Sequence, residues 1–399
     1  MTVLAQRYAT PSSRLRYQRP QLPPLSEVAA YFARSEAAHW YSNGGPCHEL
    51  LVQRLEARMA NGALALPVGN ATLGLMVALA AVTQDQPATR DLVITPSYTF
   101  AAAISAILWT GRKPLLVDVD PVHWQLGERS LAQAFASYGD HVAAVLGTST
   151  FGCPPPAATR ACWEALCRDA GVPLVMDSAA AFGATLEDGG WLGAQGDVEV
   201  FSFHATKPFA TGEGGLVTTR SPELRERIAR LVNFGFDAGR VVQDPRGMNA
   251  KLSELQAAVC LAVLDGFDGI LAARRGSAAH LIAALAPEAF TFQAGAERST
   301  WQSVPVLAAT AATREAVRAR AAAQEVEVRA YFETPLHAHP PFANFPRADT
   351  LAVTEDLAAR CLSLPMANDL GARDLERIIT AATGAVEHAV TPELRRAAA

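Results

Sequence analysis

The chain has no Cys-x-x-Cys pair. Its six cysteines, Cys47, Cys153, Cys162, Cys167, Cys260 and Cys361, stand apart. Cys162 and Cys167 lie in an alanine-rich stretch without a histidine, so no zinc site is expected and no metal is assigned. Scattered thiols suit a reducing compartment. A basic excess is also missing. Lys and Arg number 34 against 39 Asp and Glu, for a net charge of −5, which speaks against a nucleic-acid face. Internal repeats and low-complexity linkers are absent. The opening MTVLAQRYATPSSRLRYQRP carries no apolar core of a secretory signal, and no stretch reads as a membrane span. The expectation is a cytoplasmic protein that meets no membrane. Charge is scarce at 18% while half of the residues are hydrophobic. A large core follows, and 399 residues fit two domains better than one.

What is present is an alternation. Apolar runs at 63–68, 91–96, 113–120, 141–149, 172–178, 198–204 and 214–219 are separated by helical stretches such as 71–82, 99–111 and 156–171. Runs rich in Val, Ile and Leu, without polar alternation, suit strands buried on both faces. The pattern predicts an α/β fold whose large domain holds a seven-stranded, mostly parallel sheet. A polar, Pro-bearing N-terminal segment is expected at 1–45, the large domain at 46–265 and a smaller α+β domain at 266–399, with a long helical stretch at 249–275 leading into it. In the small domain, strands are expected at 298–307 and 326–332 and helices at 311–324 and 354–364.

Open α/β sheets bind ligands beyond the carboxyl ends of their strands. At those ends stand four features. Gly69-Asn70-Ala71-Thr72 opens a helix whose amides suit a phosphate. Tyr98 and Phe100 follow the second strand, where core packing is the simpler account of either alone. Asp177 follows the fifth strand, a costly place for a carboxylate unless it is paired or caps a turn. The sixth strand runs into FSFHATKPFATGEGGLVTT, which holds Ser202, His204, Thr206 and one lysine, Lys207. Pyridoxal 5′-phosphate (PLP) needs all four: a phosphate cradle, an aromatic shelf, a carboxylate for the pyridine nitrogen and a lysine for the covalent link. The apolar approach to Lys207 favours the neutral amine.

The ordered motifs resemble the DegT-type nucleotide-sugar aminotransferases, fold-type I PLP enzymes of the aspartate aminotransferase superfamily. They run along nearly the whole chain: Asn43-Gly44-Gly45-Pro46, Asn70-Ala71-Thr72, Thr95 to Phe100, Val117 to Asp120, Asp177 to Ala180, Ser202 to Lys207, Gly212 to Gly215, Met248 to Gln256 and Tyr331 to His337. The resemblance implies that Lys207 links to the cofactor and carries the proton, and that Asp177 partners the pyridine nitrogen. Phe100 would stack on the ring. Ala71, Thr72 and Ser202 would hold the phosphate, with Asn249 reaching it from the neighbouring subunit of a homodimer with shared active sites. His204, Tyr331, His337, Arg246 and Arg329 are candidate substrate contacts, and Glu213 is expected to order the Gly-rich turn.

Two positions depart from the family pattern. Ala180 stands where many members carry Gln or His against the ring hydroxyl, and Ala205 replaces a frequent proline. Both, with Asn233-Phe234-Gly235-Phe236, resemble the branch acting on thymidine-diphosphate keto-deoxysugars. The expected reaction moves an amine from L-glutamate to a nucleotide-linked keto sugar, with pyridoxamine 5′-phosphate as the cofactor's other form. Competing readings are an aminotransferase on a nucleotide-free cyclic ketone, a PLP lyase or dehydratase, and a non-catalytic binding relative.

Overall fold

The computed structural model describes residues 14–59, 61–285 and 290–384. Seven strands form the large sheet: β1 (Leu64–Val68), β2 (Leu92–Pro96), β3 (Lys113–Val117), β4 (Val142–Thr148), β5 (Leu174–Asp177), β6 (Val198–Ser202) and β7 (Gly215–Thr219). Their order is β1-β7-β6-β5-β4-β2-β3. Every residue of β2, β4, β5, β6 and β7 is buried, which is why these runs show no polar alternation. Neighbours from β3 through β6 are parallel, whereas β7 lies antiparallel to both β6 and β1. The reversal sets an edge. Ser202 pairs with Gly215 and Val68 pairs with Gly215, so the carboxyl ends of β1 and β6 meet the start of β7. Thr148 pairs with Asp177, and Asp177 with Val200, so β4 and β5 end on the same side.

Helices cover both faces. α1 (Leu25–Ala37) and α2 (Pro46–Met59) precede the sheet, and α1 falls within the polar, Pro-bearing segment, for which no helix was expected. α3 (Ala71–Val82), α4 (Ala102–Trp109), α5 (Glu128–Tyr138), α6 (Ala157–Ala170) and α7 (Pro222–Val232) follow strands. On one face, α3 joins a core with Val68, Val200 and Val217. There Gly74 lets the helix close in, because a Cβ would stand 2.9 Å from Val200 Cγ1. On the other face, the Phe182 ring lies 4.8–5.8 Å from those of Phe201, Phe203, Phe209 and Phe267. Each such buried ring is worth about 1.5–3 kcal/mol of transfer free energy.

α8 (Glu254–Leu285) is continuous. The division read at 265/266 lies inside it. By length and composition it passes for a membrane span, contrary to the sequence expectation. Its apolar residues are nevertheless shared between two cores: Ala257 to Leu271 pack with the phenylalanine cluster, and Ala278, Leu281 and Leu285 with the smaller sheet. At its start the buried Glu254 accepts from Ser35 Oγ (2.7 Å) and from the amides of Gly45 (2.9 Å), Cys47 (2.8 Å) and His48 (3.1 Å).

The smaller antiparallel sheet has the order β10-β9-β8, from β8 (Phe290–Thr291), β9 (Val304–Ala308) and β10 (Cys361–Leu364). It is covered by α9 (Ala311–Ala323), α10 (Ala352–Arg360) and α11 (Ala372–Thr383). Two expectations are corrected here. Residues 326–332 form no strand; Val326 and Arg329 make only isolated bridges, to Leu15 and Ser363. The helix expected over 354–364 ends at Arg360, and the remaining CLSL becomes β10 against β9.

Candidate active site

The loop between β6 and β7 carries Lys207 and is built from backbone hydrogen bonds. Phe203 N donates to Gly214 O (2.9 Å), Ala205 N to Gly212 O (2.8 Å) and Lys207 N to His204 O (2.8 Å). Gly212 and Gly214 have φ of +93° and +151°, values that a side chain makes unfavourable. This is the reason for the Gly-rich run after the lysine. Thr211 Oγ1 closes the turn on Phe203 O (3.0 Å), and Phe209 anchors it in the phenylalanine cluster. Gln18 Nε2 reaches in from the N-terminal segment to Thr206 O (3.0 Å).

Lys207 keeps part of its surface open, yet its amine is enclosed by protein. Burial pushes the amine down to about 8, with the Asp177 carboxylate opposing the shift. Nζ donates to Gln302 Oε1 (3.1 Å), a partner 95 residues away. Asp177, 7% exposed, ends β5. Its Oδ1 accepts from Ala179 N (3.1 Å), and Oδ2 takes no hydrogen bond among the described residues. Burial raises this carboxyl, while the Ala179 amide and the Lys207 amine pull it back.

The rest of the edge follows. Asn70 Oδ1 caps α3 by accepting from Leu73 N (2.9 Å). The amides of Ala71 and Thr72 belong to the first turn, where a helix offers no internal acceptor. Ser202 is buried and accepts from His204 N (3.3 Å). The Phe100 ring is 61% exposed beside the buried Tyr98. These features fit pyridoxal phosphate: an open carboxylate oxygen for a ring N–H, a bare aromatic face, unpaired amides at a helix start and an enclosed amine. Asn249 is exposed on the single chain and bridges Asn233.

The candidate substrate residues divide. His204 Nδ1 bonds Thr206 Oγ1 (2.8 Å), and Nε2 lies 3.7 Å from Glu213, so the pair brackets the lysine turn. Tyr331 is partly exposed, its ring 6.0 Å from Tyr17, with Arg329 above Tyr17 and bonded to Glu327. Arg246 commits its guanidinium to Asp244 (3.0 and 2.6 Å) and Ala80 O (3.1 Å). His337 is buried and bonds Ser97 Oγ through Nδ1 (2.8 Å). The Ala180 carbonyl accepts from Thr300 Oγ1 (2.5 Å).

Sequence reading missed Gln302, Thr300 and Glu199. Glu199 is fully buried on β6, accepting from Ser178 Oγ (2.5 Å) and Gln195 N (2.9 Å), and burial pushes it up to about 7. An acidic residue inside an otherwise apolar strand was its one available signal. Gln302 and Thr300 carry none, because their partners are remote in sequence.

Comparison with known proteins identifies the family. Residues 26–383 match the DegT/DnrJ/EryC1/StrS aminotransferase family. Protein Rv3402c of Mycobacterium tuberculosis is 34% identical over 372 residues, covering 92% of this chain and 89% of that protein. The dTDP-4-amino-4,6-dideoxy-D-glucose transaminase of Shigella dysenteriae is 28% identical over 368 residues, covering 91% and 96%. The structure of DesI in the presence of its TDP-sugar product superposes with a TM-score of 0.83 at 32% identity, covering 94% of this chain and 95% of that one. With an enclosed lysine, a buried carboxylate and a fold-type I sheet in place, the chain belongs to the DegT/DnrJ/EryC1/StrS aminotransferase family and is a PLP-dependent aminotransferase.

Proposed function

We propose that the protein moves the amino group of L-glutamate to the keto group of a nucleotide-linked deoxysugar, the nucleotide being dTDP, in amino-sugar biosynthesis. The observation that carries this reading is the enclosed Lys207 amine, electrostatically coupled to Asp177 on the edge where β5 and β6 end. A lysine poised near neutrality serves both as nucleophile and as proton carrier. The dTDP preference is supported by a relative named as a dTDP-amino-dideoxyglucose transaminase and by a solved relative holding its TDP-sugar product.

Lys207 would hold the cofactor and, as a free amine, would carry the proton to and from the substrate carbon. Asp177, whose Oδ2 takes no hydrogen bond among the described residues, would partner the pyridine nitrogen and favour its protonated form. Phe100 would cover the ring, and the amides of Ala71 and Thr72 with the Ser202 hydroxyl would hold the phosphate. When bound, the cofactor supplies the electron sink that makes the substrate C–H acidic. Asn249 acts across a homodimer interface on the partner's phosphate, consistent with its exposure on the single chain. His204, Tyr331 and Arg329 keep exposed surface and are assigned to substrate, whereas Arg246 and His337 are engaged by Asp244 and Ser97.

The test is product analysis by mass spectrometry after incubation with L-glutamate and either dTDP-linked keto-deoxysugars or a free cyclic ketone such as an inosose. The proposal expects amination of the dTDP sugar matched by 2-oxoglutarate. Equal use of the free ketone would remove the nucleotide, and turnover without glutamate consumption would replace transfer by elimination.

A further inference from the structure

Gln302 stands in the loop before β9, and the residues that precede it are pinned. Trp301 is 3% exposed with φ of +56°. Its amide donates to Ser299 Oγ (3.2 Å) and its carbonyl accepts from Arg274 Nη1 (2.8 Å). Arg274, 6% exposed, is itself held by Asn368 Oδ1 (2.7 Å). Ser299 Oγ donates to Phe151 O (3.1 Å), and Thr300 Oγ1 to the carbonyl of Ala180, three residues beyond Asp177. The loop is thus fastened to the Asp177 turn at one end, while Gln302 Oε1 meets Lys207 Nζ at the other. The Gln302 amide nitrogen makes no bond among the described residues.

We propose that Gln302 is a positioning residue for the amino-transfer reaction: its Oε1 takes the Lys207 amine whenever the amine leaves the cofactor, and holds it at the place from which it moves the proton. The inference rests on the reading of Lys207 given above. A lysine stem rotates freely about four carbon–carbon bonds, so a released amine drifts unless an acceptor holds it. An ammonium offers donors only, so the amide oxygen must face it. A neutral acceptor holds the amine while raising its proton affinity less than a carboxylate would. The pinned loop supplies the rigidity that such an acceptor needs.

The experiment uses the holoenzyme and the Gln302→Leu and Gln302→Glu variants. Borohydride reduction and peptide mass first ask whether the cofactor is attached to Lys207. The pH midpoint of the cofactor's visible band is then measured, followed by the rate of its loss on rapid mixing with L-glutamate. Gln302→Leu is expected to slow that loss about 10- to 100-fold, with KM for glutamate and cofactor affinity within about threefold of the parent. Gln302→Glu is expected to raise the band's midpoint by about one pH unit and to recover its rate at higher pH. Parental rates and midpoints in both variants, with Lys207 still attached, overturn the role of Gln302. Attachment elsewhere in the parent protein overturns the reading of Lys207, and this inference with it.

Discussion

Gly215, the first residue of β7, lies so close to the start of α3 that a Cβ on it would stand 2.8 Å from Ala71 N and 2.8 Å from Asn70 C. The glycine lets the strand press the helix start onto the edge where the site forms. Gly215→Ala is therefore expected to displace the first turn of α3 and weaken cofactor binding at least about tenfold, or about 1.4 kcal/mol. A spectral titration with pyridoxal phosphate measures this; unchanged affinity would separate that helix start from the phosphate.

Phe100 and Phe209 are predicted to behave oppositely. Phe100 is 61% exposed and Phe209 1%. Phe100→Ala should lose about tenfold in cofactor affinity while the apo-protein's melting temperature barely moves. Phe209→Ala empties the cluster beneath the lysine turn and should cost about 3–5 kcal/mol in denaturant unfolding.

Asp177→Asn keeps the shape and removes the charge that, in the proposed role, favours the protonated ring nitrogen. The half-reaction with L-glutamate should slow by at least about 10³-fold, equivalent to about 4 kcal/mol of barrier, while Lys207 stays attached to the cofactor. Rapid-mixing absorbance gives the rate and peptide mass the attachment.

Glu199 has a pH signature distinct from that of the reaction. Its carboxyl is raised from 4.5 to about 7 by burial. The native state therefore binds more protons than the unfolded chain between those values, and stability must fall as pH rises through that window. The stabilisation is complete below about 4.5 and gone above about 7, with an upper size of about 3 kcal/mol. Glu199→Gln should flatten the slope of urea stability across the window; an unchanged slope would assign it to other groups.

The edge of the large sheet was legible because each of its parts is local. The apolar runs are consecutive, the glycines after Lys207 answer backbone needs seven and eleven residues away, and Asn70 caps its own helix. What escaped reading is non-local. Gln302 meets Lys207 only because α8 carries the chain back to a second sheet. VEVRAYF has strand composition yet pairs only at single bridges, whereas CLSL pairs fully with β9. Strand formation is settled by the available partner more than by propensity.

The most direct test is the absorbance spectrum of the holoenzyme before and after L-glutamate, with Lys207→Ala alongside. The account predicts that the band of lysine-linked cofactor fades to that of pyridoxamine phosphate in the parent protein, with release of 2-oxoglutarate, and that Lys207→Ala shows no linked band at all. A linked band in the Lys207→Ala variant, or a parent band that no amino donor alters, would contradict it.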